Sequence, residues 1–107
     1  MTDINSGVQF VVMTMASEFQ EITLGRPDRE TDFLPVIDLT LVHGHKKGVS
    51  RFHAVIMTYG DGFGLSDNSS SNGTFINGER LMIGQTRKIK DGDLIKLGGV
   101  KLKFNCS

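Results

Sequence analysis

The chain predicts an all-β fold, a two-sheet antiparallel β-sandwich, and three observations carry that expectation. Short runs of β-branched or alternating apolar residues recur along its length, each suited to a strand. Clusters of Gly, Asn and Asp punctuate them, where positive backbone φ angles are cheap. Nowhere do apolar residues hold the i, i+3, i+4, i+7 spacing of a helix, and 13 glycines in 107 residues weigh against one.

Taken in order, the expected strands are Val8 to Met15, Phe19 to Leu24, Val36 to Leu41, Phe52 to Thr58, Leu81 to Ile83, Asp93 to Leu97 and Val100 to Phe104. Gly60-Asp61-Gly62, Asn77-Gly78, Asp91-Gly92-Asp93 and Gly98-Gly99 are the turns between them. Residues 1–7 read as a flexible leading segment and 8–107 as one domain, a length that supports a single core. Two stretches break the rhythm of short strands and turns: Pro27 to Pro35 with Val42 to Gly48, and Ser66 to Thr74. Long polar loops on a rigid sandwich are where recognition residues are expected.

Lys plus Arg and Asp plus Glu number 12 each, so overall charge points to neither nucleic acid nor a membrane surface as partner. The charge is uneven, however. Residues 1–38 hold seven acids against Arg26 and Arg29, whereas Leu39 to Gly60 contains no acid but includes Lys46, Lys47, Arg51 and the three histidines His43, His45 and His53. A local positive patch on a neutral chain suits a small anionic group. Arg26, which follows a strand and a glycine, and Ser50-Arg51, where a loop re-enters a strand, offer a planar guanidinium fork and a short hydroxyl, the donors that match phosphate oxygens.

One cysteine, Cys106, leaves no internal disulfide and no cysteine metal cluster, and no apolar run reaches membrane-spanning length. A cytoplasmic setting is expected, in which the sequons Asn68-Ser69-Ser70 and Asn72-Gly73-Thr74 go unused.

Four ordered blocks then stand out: Gly25-Arg26; Val49-Ser50-Arg51-Phe52-His53-Ala54; Ser71-Asn72-Gly73-Thr74-Phe75-Ile76-Asn77-Gly78; and Asp91-Gly92-Asp93-Leu94-Ile95-Lys96-Leu97-Gly98. Together they resemble the forkhead-associated (FHA) domain over about Glu21 to Phe104. The resemblance implies a sandwich of FHA type whose loops at one end bind a phosphothreonine peptide, the mark of a Ser/Thr kinase on a partner protein. It implies that Arg26 and Ser50 contact the phosphate, that Arg51 adds a second cation, that Asn72 bonds the peptide backbone, and that Ser71 sits beside it at the phosphate or the threonine methyl pocket. Gly25, His53, Gly73, Thr74 and Asn77 are the implied loop braces. The sequence departs from the family's commonest pattern in the long stretch Pro27 to Val49, which either extends the basic patch or is a solvated insertion.

Other classes fit less well. A hydrolase triad of Ser50, His53 and Asp67 lacks any strand-turn-helix nucleophile motif, so no catalytic residue and no enzyme activity are expected. His43, His45 and His53 in principle ligate a metal, but His-x-His is weak on its own, and neither metal nor cofactor is expected. The remaining alternative is a phosphate-independent interaction or dimerisation scaffold on the same fold. In the phosphopeptide reading, affinity is expected on the order of micromolar, about 8 kcal/mol.

Overall fold

Alternation of apolar and polar residues along each strand sorts side chains between a buried and an open face, and two sheets close over the buried faces. A computed structural model describes residues 1–12 and 20–106. Its strands are β1 (Thr2–Asp3), β2 (Glu21–Gly25), β3 (Ile37–Asp38), β4 (Phe52–Tyr59), β5 (Gly62–Asp67), β6 (Thr74–Ile76), β7 (Glu79–Arg80), β8 (Thr86–Ile89), β9 (Leu94–Leu97) and β10 (Val100–Lys103). One sheet runs β1-β10-β9-β6-β7 and the other β3-β2-β4-β5-β8. Every pairing is antiparallel except β2 with β3.

The core lies between the sheets. Leu24, Ala54, Ile56 and Leu65 from one meet Ile95, Leu97, Val100 and Leu102 from the other, all at most 1% exposed. In β9 and β10 the alternation is strict: Leu94, Lys96, Lys101 and Lys103 face outward between those buried residues. Three of the expected turns close hairpins, while Asp91-Gly92-Asp93 leads from β8 in one sheet to β9 in the other. Asn77 (φ 48°) and Gly78 (φ 87°) join β6 to β7 with both central residues left-handed, the two-residue turn whose twist suits a hairpin. Gly98-Gly99 joins β9 to β10, and Gly60-Asp61 joins β4 to β5.

Several expectations are corrected. Residues 1–7 are tied down rather than free: β1 pairs with β10, the terminal ammonium donates to the Phe10 carbonyl at 2.8 Å, and Asp3 is wholly buried. Of the expected strand Val8 to Met15, Gln9 forms only an isolated bridge to Thr2, and Met13 to Met15, like Phe19 of the second strand, lie outside the described residues. Val36 to Leu41 gives only β3. The Asp38 carboxylate then accepts from the Thr40 N–H and caps a 3-10 turn over Leu39–Val42, because an Asp side chain competes with ladder bonding. Leu81 to Ile83 is not a strand: β7 ends at Arg80, Leu81 buries its side chain, and Met82 and Ile83 stand 74% and 76% exposed.

Candidate functional site

Arg26 is aimed by an unusually close backbone crossing. β2 has a register shift at Leu24/Gly25, and Gly25 passes so near β4 that a Cβ there would lie 1.7 Å from the Arg51 carbonyl oxygen. The Arg26 N–H donates to that same carbonyl at 2.7 Å. Its side chain is then fixed twice, with Nε donating to the Val49 carbonyl at 2.7 Å and a terminal nitrogen donating to His45 Nδ1 at 2.9 Å. A guanidinium only donates, so His45 Nδ1 is the acceptor, and the remaining Arg26 side-chain N–H groups have no partner among the described residues.

Ser50 and His53 form the second piece. His53 is fully buried at the start of β4, its Nδ1 accepting from the Ser50 N–H at 2.9 Å and its Nε2 bonded to the Gly73 carbonyl at 2.9 Å. An acceptor at Nδ1 and a carbonyl facing Nε2 define one neutral tautomer, with the proton on Nε2. Burial lowers the His53 pKa from its ordinary 6.5, opposed by the Gly73 hydrogen bond and the charge of Asp67. The Ser50 hydroxyl oxygen accepts from the Ser71 N–H at 3.1 Å, which leaves its own hydrogen to donate outward. Ser50 thus meets His53 through its backbone, not through its hydroxyl.

The third piece is the turn from β5 to β6. Asp67 accepts from the N–H and hydroxyl of Ser70 and, at 2.6 Å, from the buried hydroxyl of Thr74, while the Ser70 oxygen accepts from the Gly73 N–H at 3.0 Å. Burial works to raise the Asp67 pKa, but the hydrogen bonds from Ser70 and Thr74 prevail and hold it below the usual carboxylate value. Gly73 takes φ +89°, the left-handed region that glycine enters freely. This turn presents Ser71 and Asn72 in the open. The Asn72 amide donates to the Gly48 carbonyl at 2.8 Å, leaving its oxygen and second N–H for other partners.

The loops of Arg26, Ser50 and Asn72 are therefore laced to one another directly. Arg51 extends the same region and is exposed, with one guanidinium nitrogen 3.8 Å from the Asp28 carboxylate. Asn77 braces a different place, the far end of β6, where its side chain donates to Asp93 at 3.0 Å and accepts from the Leu94 N–H at 2.9 Å.

Besides the Gly48 and Val49 carbonyls and Asp28, the long stretch Pro27 to Val49 reaches the site through Phe33 and His45. Asp28 and Phe33 exchange backbone hydrogen bonds, closing a small loop that Phe33 seats on Phe52 by ring stacking at 4.9 Å. His45 completes the hold on Arg26. The three histidines are not gathered into a ligand set: His43 sits left-handed (φ 62°) at the end of the 3-10 turn and His53 is buried under Gly73. Sequence reasoning missed the organising roles of His45, Asp67 and Ser70. The spacing Asp67-x-x-Ser70 was the available signal, since a carboxylate two or three residues before a free N–H favours such side-chain turns.

The chain is similar to known proteins in sequence and in fold. The chain is 46% identical over 50 residues to Protein FraH of Nostoc sp., an overlap of 47% of this chain and 17% of that one. Its fold superposes on EmbR of Mycobacterium tuberculosis, solved with a low-affinity phosphopeptide, with TM-score 0.72 and 28% identity over 97% of this chain and 23% of that one. It also superposes on the MEK1 FHA domain in complex with a phosphothreonine peptide from HOP1, with TM-score 0.63 and 28% identity over 80% of this chain and 79% of that one. The chain thus spans about a fifth of the length of FraH and of EmbR. The FHA domain model itself matches residues 22–98, from within β2 through the turn after β9 and across all three loops described above, and the chain therefore belongs to the FHA domain family.

Proposed function

We propose that this chain is a binding module, with no chemistry of its own, that recognises phosphothreonine in segments of partner proteins modified by a Ser/Thr kinase, and that it works in the cytoplasm. The observation that carries this reading is the lacing of three loops into one donor cluster. Val49 and His45 hold Arg26, the Ser71 N–H turns the Ser50 hydroxyl outward, and Gly48 holds Asn72. A phosphothreonine brings a charge of about −1.5 to −2 and three acceptor oxygens at neutral pH. Arg26 supplies charge-assisted donors for it, Ser50 a hydroxyl donor and Arg51 a second cation. Asn72, beside them, presents an amide to the peptide backbone, and Ser71 lies at the edge of the same cluster. Gly25, His53, Gly73 and Thr74 act through these loops, while Asn77 steadies the sheet that carries them. The EmbR and MEK1 complexes support the assignment by analogy.

The test is a fluorescence-anisotropy titration of a degenerate phosphothreonine library, with phosphoserine and unphosphorylated libraries alongside, against the wild type and Arg26→Ala. Losing a charge-assisted bond worth about 1.5–3 kcal/mol weakens binding roughly ten- to a hundredfold. Equal binding of phosphorylated and unphosphorylated libraries contradicts the reading and favours a phosphate-independent scaffold.

A further inference from the structure

Outside the loops, the most unusual surface is the open face of the sheet β1-β10-β9-β6-β7. Cross-strand register sets Arg80 opposite Phe75, Phe75 opposite Lys96, and Lys96 opposite Lys101, so three cations and an aromatic ring form one unbroken row. The ring is the hub of this row: the Arg80 guanidinium carbon lies 5.8 Å and Lys96 Nζ 5.1 Å from its centre. Lys103 continues the positive face along β10. No acidic side chain lies on the open face of β6, β9 or β10; on β7 the exposed Glu79 stands opposite buried Ile76 and pairs with Arg87 of the other sheet, and among the described residues none of these cations has a carboxylate within ion-pair distance.

Two features set this face apart from ordinary surface charge. Directly opposed like charges on a ladder are destabilising, yet Lys96 and Lys101 face each other with no carboxylate in ion-pair distance among the described residues. Lysines that guard a sheet against edge pairing belong on edge strands, whereas β9 is the central strand of this sheet and β10 is its neighbour. The floor between the cations is apolar, with Leu94 46% and Ile4 48% exposed around a shallow depression of about 360 Å³.

The row is also continuous with the candidate site. A Cβ on Gly73 would lie 2.9 Å from Arg80 Nε, so Arg80 begins where the Asn72-Gly73 turn ends. From β7 to β10 the row crosses three strand spacings, about 14 Å, which an extended segment covers in roughly four to five residues.

We propose that this face is a second docking surface, for an acidic segment with interleaved apolar side chains that belongs to the same partner whose phosphothreonine the loops hold. The proposal rests on the phosphothreonine reading for the link between the two sites. Carboxylates complement Arg80, Lys96 and Lys101, and apolar side chains of the segment cover Leu94 and Phe75. A nucleic acid backbone matches the cations and its bases can stack on Phe75, but the aliphatic Leu94 and Ile4 offer a base no ring, and the net charge of zero gives it no long-range attraction.

The experiment titrates the full chain with phosphothreonine peptide pools whose flanks carry either neutral residues or a mixed glutamate and leucine run, on each side in turn. The wild type is compared with the double variant Lys96→Gln/Lys101→Gln. The acidic pool binds the wild type roughly tenfold more tightly than the neutral pool, an effect of a few exposed ion pairs acting together. The double variant removes that preference and leaves neutral-pool affinity unchanged. Equal affinity for the two pools overturns the proposal, as does a preference that survives in the double variant. If no phosphothreonine pool binds, the loop reading has failed, and the unphosphorylated glutamate-leucine peptide, immobilised at high density, tests the face alone. Retention that requires the two lysines sustains the surface, and no retention overturns it. Lysine-dependent binding of a single-stranded DNA oligomer without any of the glutamate-leucine peptide overturns it in favour of nucleic acid.

Discussion

Replacing His53 by Ala separates a loop brace from a ligand contact. The imidazole is wholly buried and satisfies two backbone groups, the Ser50 N–H and the Gly73 carbonyl, each at 2.9 Å. Leaving a buried group without its partner costs about 1–3 kcal/mol, so two such groups and the vacated ring space give a loss of about 3–5 kcal/mol. That is a large share of the roughly 5–15 kcal/mol that holds a domain folded. The pH dependence has a fixed sign. Burial holds the folded pKa of His53 below the ordinary 6.5 of the unfolded chain, so between those two values the unfolded chain binds a proton that the fold refuses. Stability from this group is complete above pH 6.5 and is lost as pH falls toward the lower folded value. Urea unfolding of the wild type and His53→Ala across the neutral to mildly acidic range measures both effects, with the wild type losing stability on acidification and the variant showing a shallower slope. A variant that loses less than about 1 kcal/mol, or one that keeps its stability while phosphopeptide binding disappears, refutes the brace and makes His53 a ligand contact.

Gly25→Ala and Asn77→Ala test two further positions. A methyl at Gly25 would lie 1.7 Å from a backbone oxygen, so β2 and β4 must separate at the point that aims Arg26; the expected loss is about 3 kcal/mol of stability by urea midpoint, with weaker phosphopeptide binding by anisotropy. Asn77→Ala removes two side-chain hydrogen bonds and puts a Cβ residue without them at φ 48°, for an expected loss of about 2 kcal/mol in thermal unfolding while phosphopeptide affinity of the folded fraction is unchanged.

Much of the fold was legible where side chains alternate cleanly. β4, β9 and β10 fall on the expected runs because Phe52 to Thr58 and Asp93 to Phe104 carry both the apolar face and the turn residues that end it. β5 was not legible. Gly-Phe-Gly-Leu-Ser-Asp has little strand propensity, and it is strand because β4 and β8 bond it on both sides, a tertiary effect that overrides local preference. β8, Thr-Arg-Lys-Ile, reads as polar surface for the same reason, with only Ile89 turned inward. At the candidate site, the sequence displayed Arg26, Ser50, Arg51 and Asn72 through their motif blocks. It did not display that His45 would reach Arg26 across 19 positions, or that Asp67, weighed only as a triad acid, would anchor Ser70 and Thr74. Such partnerships depend on where loops fold back, and periodicity carries no record of that.

The lacing of the loops also bears on how long the protein survives. Its closing bonds join residues 20 to 24 positions apart, Arg26 to Val49, Ser50 to Ser71, Gly48 to Asn72 and His53 to Gly73, so no local fragment contains the donor cluster and an unfolded chain has none to offer. A ligand that binds only the folded state stabilises it by mass action, by about 2.7 kcal/mol at a hundred times its dissociation constant. Under the proposed function, kinase activity toward the partner would then govern more than occupancy: phosphorylated partner would draw the population out of the unfolded pool that proteases sample, and dephosphorylation would return it there.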